Sequence, residues 1–279
     1  MTSHKLSSRM KLSIFVLICS LMQVVASIIA PNPNGEIAQG FDWLLYSSMI
    51  VNWLSWMAVP VIAWFVAQRV RTIMRRSRTS DARTYGMLAQ YAVFLLLLAL
   101  ICESPFDYAR TGVWWSLEIQ NPLWALVLSI VAVIGWKAAE YYDNAARVTV
   151  RVIVLIVALL ACIALKTFYG LLVMVLIYTL CPVDFSVKWK KIAWSRQLIV
   201  ITGAIISGVS ALVGVSMVNR VERSHRKNTR NLETGKRVDQ TGRVTTHGAY
   251  GQWFLWWAYP ALLVMCVLIR LAVVTWILR

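Results

Sequence analysis

Eight apolar runs separated by short polar connections make up most of the chain: 12–30, 44–67, 87–102, 122–136, 148–165, 168–181, 198–218 and 253–278. An α-helix of about 20 apolar residues crosses the roughly 30 Å of bilayer hydrocarbon, and most of these runs approach that length. Within lipid a backbone amide finds no water, so only helices and closed barrels satisfy it, and barrel strands are about half as long as these runs. The pattern predicts an all-α fold: a polytopic membrane helix bundle of about eight transmembrane helices, one integral membrane domain over 1–279, with a polar loop at 219–252. Trp43, Trp114, Trp115, Trp136, Trp253, Trp256 and Trp257 gather near the ends of runs, where an amphipathic ring gains at headgroup level.

Composition agrees. The chain is 59% hydrophobic and 14% charged, against about 25% charged in a soluble domain, which excludes a soluble globule. The first run follows Lys5, Arg9 and Lys11 and ends in small residues, as a cleavable signal peptide also does. Its 19 residues suffice to cross, so a retained first helix is expected. Five cysteines (Cys19, Cys102, Cys162, Cys181, Cys266) lie in or at the ends of apolar runs without a CxxC pair, and the histidines are only His4, His225 and His247. No metal site and no tightly bound cofactor is expected.

The net charge of +16 would suggest nucleic acid in a soluble protein. Here the basic residues flank apolar spans, so positive-inside topology and anionic lipids explain them and no nucleic-acid partner is expected. An inside N-terminus puts 31–43 outside and 68–86, with its six arginines, in the cytoplasm. Counted over eight crossings, the loop 219–252, with eight basic residues, falls outside, against the rule. A re-entrant 122–136, only 15 residues long, would bring it inside. The loop carries a net +5 and is expected to be mobile, with Arg226, Lys227, Arg230, Lys236 and Arg237 as contacts for anionic lipid or a protein partner.

Ionisable groups at membrane depth are functional candidates because their burial is costly. Arg151 is close enough to the start of its run to snorkel; Arg270 either snorkels or faces a protein interior; Lys166 sits in a turn and is expected at headgroup level. The dense constellation is Glu103-Ser104-Pro105-Phe106-Asp107-Tyr108-Ala109-Arg110. Proline predicts a helix end there, with Ser104 extended and the carboxylates projecting from a rigid corner. From spacing alone, this is either a helix terminus with an interfacial Asp-Arg pair or a site.

The run Ala99-Leu-Ile-Cys-Glu-Ser-Pro-Phe-Asp-Tyr-Ala resembles the SEIPFDLA signature of the TraX family, multi-pass inner-membrane proteins named for N-terminal acetylation of conjugative pilin. Ala58-Val-Pro-Val-Ile-Ala-Trp-Phe65 resembles that family's GRIAFPIFAF helix, Gln120-Asn121 its Asn-initiated helix, Tyr169-Gly-Leu-Leu172 its YGVL, and Tyr259-Pro260 its YPLH. The departures fall on polar residues. The family's Asp-His has no counterpart among Ser20, Leu21, Met22 and Gln23; its Gly-Arg is Ser55-Trp56; its Asp before YGVL is Leu165; its final His is Leu262. Acyl transfer needs a base and an oxyanion donor, leaving Glu103, Asp107 and His247 as candidate bases.

Two expectations follow. The resemblance implies a bacterial inner-membrane acyltransferase or acetyltransferase with Glu103, Asp107 and Arg110 as catalytic residues, acyl-CoA, acetyl-CoA or a lipid-linked donor, and a membrane-associated acceptor. The missing residues allow instead a catalytically inactive membrane scaffold or partner subunit.

Overall fold

The computed structural model describes residues 8–29, 42–76, 81–116, 118–180, 190–233 and 247–277. They form ten α-helices and a short 3-10 turn with no strand among them: α1 (Ser8–Ile29), α2 (Asp42–Ser55), α3 (Ala58–Arg76), α4 (Asp81–Thr111), α5 (Leu123–Ala138), α6 (Asn144–Ala164), α7 (Tyr169–Leu180), α8 (Lys190–Ser207), α9 (Ala211–Glu233) and α10 (His247–Ile277). The all-α bundle expected from the pattern is what forms. Four segments are long and apolar enough to cross a membrane, Tyr46–Arg75, Asp81–Thr111, Leu123–Tyr141 and Asn144–Ala164, with shorter apolar helices packed among them.

The core lies along α3 and α7. Val61, Ala63, Val66, Ala67 and Val70 are wholly buried, as are Leu172, Met174 and Val175 opposite them. Helix α6 is the reverse case, burying only Ala158 and Cys162 while Val152, Ile153, Ile156, Val157, Leu160 and Ile163 face outward. An exposed aliphatic face of this extent would aggregate in water and is at home against lipid tails.

Eight apolar runs become ten helices because two of them break. The run 44–67 turns at Trp56 and Met57 between α2 and α3, and 198–218 reverses between α8 and α9. The reversal can be read from what touches what. Helices α3 and α7 run in parallel, with Trp56 against Phe168 at one end and Arg71 donating to the Tyr178 carbonyl at the other. Helix α8 runs opposite to α7, its Gly203 facing Met174 and Ile177 and its Ser207 facing Gly170. Helix α9 then follows α3: Gly214 lies against the Met57 carbonyl, and the Trp64 indole N–H donates to Glu222 Oε1 at 2.7 Å. Gly208 makes the turn with φ +125°, a conformation other residues rarely adopt, and a Cβ there would strike the Trp56 ring.

This extra reversal corrects the topology expected from eight crossings without making 122–136 re-entrant; that run is α5, an ordinary helix. Helix α10 runs alongside α4, with Trp256 edge-on to Phe94 and Arg270 Nη1 donating to the Ala109 carbonyl at 2.9 Å. The C-terminal end of α9 and the start of α10 therefore lie at the end of the bundle that also carries Lys11, Arg69, Arg75, Arg83, Lys137, Arg147 and Arg151. Among the described residues, the basic side chains at the opposite end are Arg110, Lys166 and Arg270. The charge asymmetry that the positive-inside rule asks for is met.

Much of the segment 219–252 is helix, a correction to the expected loop. Between Gly214 and Gly235 the sequence holds neither glycine nor proline to stop α9, so Arg226, Lys227 and Arg230 lie on that helix, whereas Lys236 and Arg237 fall outside the described residues. At the basic end Lys137 Nζ meets Asp81 Oδ1 at 2.8 Å, and Arg151 leans 3.6 Å from Glu140 and over the Trp136 ring, the snorkelling expected of it.

The hairpin makes an expectation that an eight-crossing bundle does not. In a cysteine-free background, single cysteines at Ser77 and Thr241 should be labelled by an impermeant reagent from the same side, the cytoplasmic one, and a cysteine at Val113 from the other. Labelling of Ser77 and Thr241 from opposite sides would refute the reversal at Gly208.

Candidate functional site

Helix α4 buries a stripe at helical spacing: Leu88, Ala92, Leu95, Ala99, Cys102, Glu103, Phe106, Asp107 and Ala109. The two carboxylates stand at i and i+4 in this stripe, so the geometry that buries the apolar residues buries them too. Glu103 is 4% exposed and Asp107 1%. The expected helix end at Pro105 does not occur; α4 continues to Thr111, with Ser104 helical. A proline inside a membrane helix forfeits one backbone bond, and that loss is outweighed here because six further residues of helix keep Phe106, Asp107 and Ala109 against their neighbours.

The helix ends instead at Gly112, with φ +81° and its N–H on the Tyr108 carbonyl at 2.9 Å. The Arg270 guanidinium covers this end, donating to Ala109 O and packing so closely over Gly112 that a Cβ would lie 3.0 Å from Nη2. Arg270 thus faces protein, where its charge complements the negative end of α4.

Each carboxylate has donors from the chain that follows. Glu103 Oε1 accepts the Asn121 N–H at 3.3 Å, and Oε2 accepts the Trp124 indole N–H at 2.8 Å. Asn121 Oδ1 in turn accepts the Leu123 N–H at 3.1 Å and the Tyr259 hydroxyl at 3.2 Å. The network ties α4 to the first turn of α5 and to α10, with an acidic side chain at the positive end of α5. Asp107 Oδ2 accepts the Ser116 N–H at 2.7 Å, while its buried Oδ1 has no hydrogen-bond partner among the described residues. The Asp-Arg pair expected from spacing is absent: among the described residues no basic nitrogen lies within 4 Å of either carboxylate.

Arg110 projects elsewhere, to the wall of a cavity of about 500 Å³ at the end of the bundle opposite the basic one. Lys166 also lines it, together with Gln23, Asn52, Trp56, Gln120 and Thr167. Beside it lies an apolar pocket of about 80 Å³, lined by Val16, Cys19, Val59, Leu126, Leu171 and Tyr259 among others. Gln23, Trp56, Pro122 and Phe168 line both, so the two spaces adjoin. Of the sequence-derived catalytic candidates, only Arg110 lines the cavity, while Glu103 and Asp107 are buried on the same helix against residues 116–124. His247 begins α10 twelve residues before Tyr259, roughly 18 Å away along the helix toward the basic end.

Lys166 is held unusually. It has φ +48°, alone in the left-handed region among the described non-glycine residues. Its N–H reaches the Ile163 carbonyl at 3.0 Å, and the Thr167 N–H reaches Cys162 O at 3.0 Å. These two bonds are the Schellman closure of α6, which normally places glycine where Lys166 stands. The sequence marked Lys166 only as a turn residue. Gln23, Asn52 and Thr167 carried no signal at all, because three uncharged polar residues on three distant segments have no spacing to be read.

No family model, curated protein or solved structure matches the chain.

The site generates two expectations for stability. Glu103→Ala leaves an indole N–H and an amide N–H unsatisfied in a dry interior and should cost about 3 kcal/mol, with Glu103→Gln retaining part of that through its carbonyl, as detergent-solubilised thermal melts would read. Lys166→Gly should be neutral or raise stability by up to about 1 kcal/mol, since it relieves the left-handed backbone. A large drop for Lys166→Gly would show that its ammonium holds the fold.

Proposed function

We propose that the chain is a TraX-like integral membrane protein of acyltransferase or acetyltransferase type, acting on a membrane-associated acceptor, with a bacterial inner membrane as its location. One observation carries the reading: the Pro-Phe-Asp segment that bears the resemblance forms, through Phe106 and Arg110, part of the wall of the 500 Å³ cavity. A cavity of this volume is in the range that small-molecule sites occupy.

The roles are redistributed from those expected. Both Glu103 oxygens are committed to donors, so Glu103 positions α5 and is not the base. Asp107 Oδ1 has no partner among the described residues and lies behind the cavity wall, beside Phe106 and Arg110. In this reading the acceptor reaches Asp107 past Phe106, and Asp107 takes the proton of its amine or hydroxyl as that atom attacks the acyl carbonyl. Asp107 returns that proton to the donor's leaving group as the bond to the acyl carbon breaks, and Arg110 holds an anionic group of donor or acceptor. A lipid-linked donor reaches the cavity within its own leaflet, whereas acyl-CoA or acetyl-CoA would have to deliver its acyl group from the basic face.

The alternative, a catalytically silent scaffold or partner subunit, is favoured by the same hydrogen bonds that immobilise Glu103, because they join three helices at the point where a catalytic group was expected. Transfer of a labelled acyl group in proteoliposomes, offered acetyl-CoA, longer acyl-CoA and labelled phospholipid as donors, separates the readings. Asp107→Asn should lower transfer by about 10²- to 10⁴-fold with Glu103→Gln largely active. Absence of transfer from every donor, with Glu103→Gln disturbing assembly with a membrane partner, establishes the scaffold.

The basic face is proposed to meet anionic lipid through charge alone. Reversing Arg226, Lys227 and Arg230 should weaken the binding of detergent-free protein discs to anionic vesicles and flatten its salt dependence, since each basic residue near such a surface contributes about 1 kcal/mol. Unchanged binding at low salt would exclude that contact.

A further inference from the structure

We infer that the cavity between Arg110 and Lys166 binds a lipid with an anionic phosphate headgroup, its head held by these two cations and the start of one chain entering the adjoining apolar pocket. This names a substrate class for the cavity in which acyl transfer is proposed, and it rests on that reading.

Four observations lead to it. Among the described residues, the cavity wall contains Arg110 and Lys166 and no carboxylate. Among the described residues, the acids that act electrostatically on Arg110 are Glu118, exposed and outside the wall, and Asp107, whose Oδ2 accepts the Ser116 amide. Among the described residues neither cation has a carboxylate within 4 Å. Arg110 is half-buried and Lys166 exposed, so an anion entering this cavity meets two cations on its wall.

Thr167, 6% exposed, lines the same cavity, and its enclosed hydroxyl has no hydrogen-bond partner among the described residues. A buried hydroxyl that donates to nothing is costly, and by turning toward the cavity it would donate to a phosphate oxygen there. The residue before it, Lys166, occupies a left-handed backbone position that glycine would fill without strain. Strain of this kind accompanies side chains whose placement has a use.

The occupant is a lipid and not a free anion because the polar cavity does not stand alone. It shares Trp56, Pro122, Phe168 and Gln23 with the apolar pocket, so head and tail chemistries meet across one boundary. Trp114, Trp115 and Tyr169, all exposed, stand near this end of the bundle, at the level where aromatic rings mark the edge of the hydrocarbon. The pocket's 80 Å³ accommodates a few water-sized groups, enough for a short acyl group or the first carbons of a chain.

The test measures retention of radiolabelled phosphatidic acid by the full-length protein purified in a neutral detergent, with phosphatidylcholine and inorganic phosphate as the other probes. The wild type should retain phosphatidic acid at least about tenfold better than phosphatidylcholine, and Arg110→Gln and Lys166→Gly should each weaken retention about tenfold, the effect of losing one charge-assisted hydrogen bond. Because Lys166→Gly eases the backbone, and melts report its folding directly, loss of lipid in that variant cannot be ascribed to misfolding. Displacement of the lipid by excess inorganic phosphate would reduce the site to a simple anion site. Equal retention of phosphatidylcholine, or retention indifferent to both cavity variants, would overturn the proposal. Binding is read without turnover, so a protein that holds phosphatidic acid but transfers nothing refutes acyl transfer alone, and one that transfers acyl groups without retaining this lipid refutes the lipid alone.

Discussion

Everything around the cavity depends on where the carboxylate of Glu103 is put. A charged or neutral acid in the interior of a membrane bundle must find donors or be expelled, and Glu103 finds them on the chain that follows it, at the Asn121 amide and the Trp124 indole. That requirement fixes the start of α5 against α4. Asn121, held there, presents its side-chain oxygen to Tyr259 and so docks α10. With α10 in place, Arg270 reaches the last carbonyls of α4 and closes that helix at Gly112. One acid thus sets three helix ends, and the wall they form with α1, α2 and α7 is the wall of the cavity.

A second constraint acts on the whole chain. Helices in lipid gain little from burying apolar surface against one another, so close approach through small residues and a few polar bonds must hold them. The hairpin of α8 and α9 shows both. Gly170, Gly203 and Gly214 admit neighbouring backbone or side chains where a Cβ would collide, and Ser207 Oγ lies 3.0 Å from the Gly170 carbonyl and 2.8 Å from that of Gly203, within donating reach of either. The Trp64 to Glu222 bond then draws α9 along α3 and carries its basic half to the end where the other basic residues lie.

The sequence disclosed helices readily and their partners poorly, for a physical reason. In a soluble protein the alternation of polar and apolar positions tells which face of a helix is inside; in a bilayer both faces are apolar, so Leu95 in the core and Leu97 in lipid look alike. The same uniformity hid the reversal at Gly208, since 198–218 reads as one span of ordinary length, and only the excess of basic residues on the wrong side betrayed it. Pro105 misled in the opposite direction, because a local rule about proline was outweighed by packing that lies far away in sequence. The polar cluster from Glu103 to Arg110 was legible as a cluster, but its members' duties were not: the partners of Glu103 are 18 and 21 residues downstream, and Arg110 turns to a cavity whose other cation is on α6's terminus.

The separation of these duties bears on what the bundle can do. The residues that join helices, Glu103, Asn121, Trp124 and Tyr259, have their polar atoms turned on one another, apart from the Asn121 amide nitrogen, which has no partner among the described residues. Among the residues that line the cavity, the Thr167 hydroxyl has no partner and Arg110 and Lys166 have no carboxylate within 4 Å, among the described residues. A purely structural cluster tends toward the first condition, because an unsatisfied buried group lowers stability without return. The second condition, next to a lysine held in a conformation it disfavours, is the one that the proposed lipid headgroup would relieve. In this molecule the former cluster braces the latter, and the acid most prominent in the sequence holds the wall of the cavity.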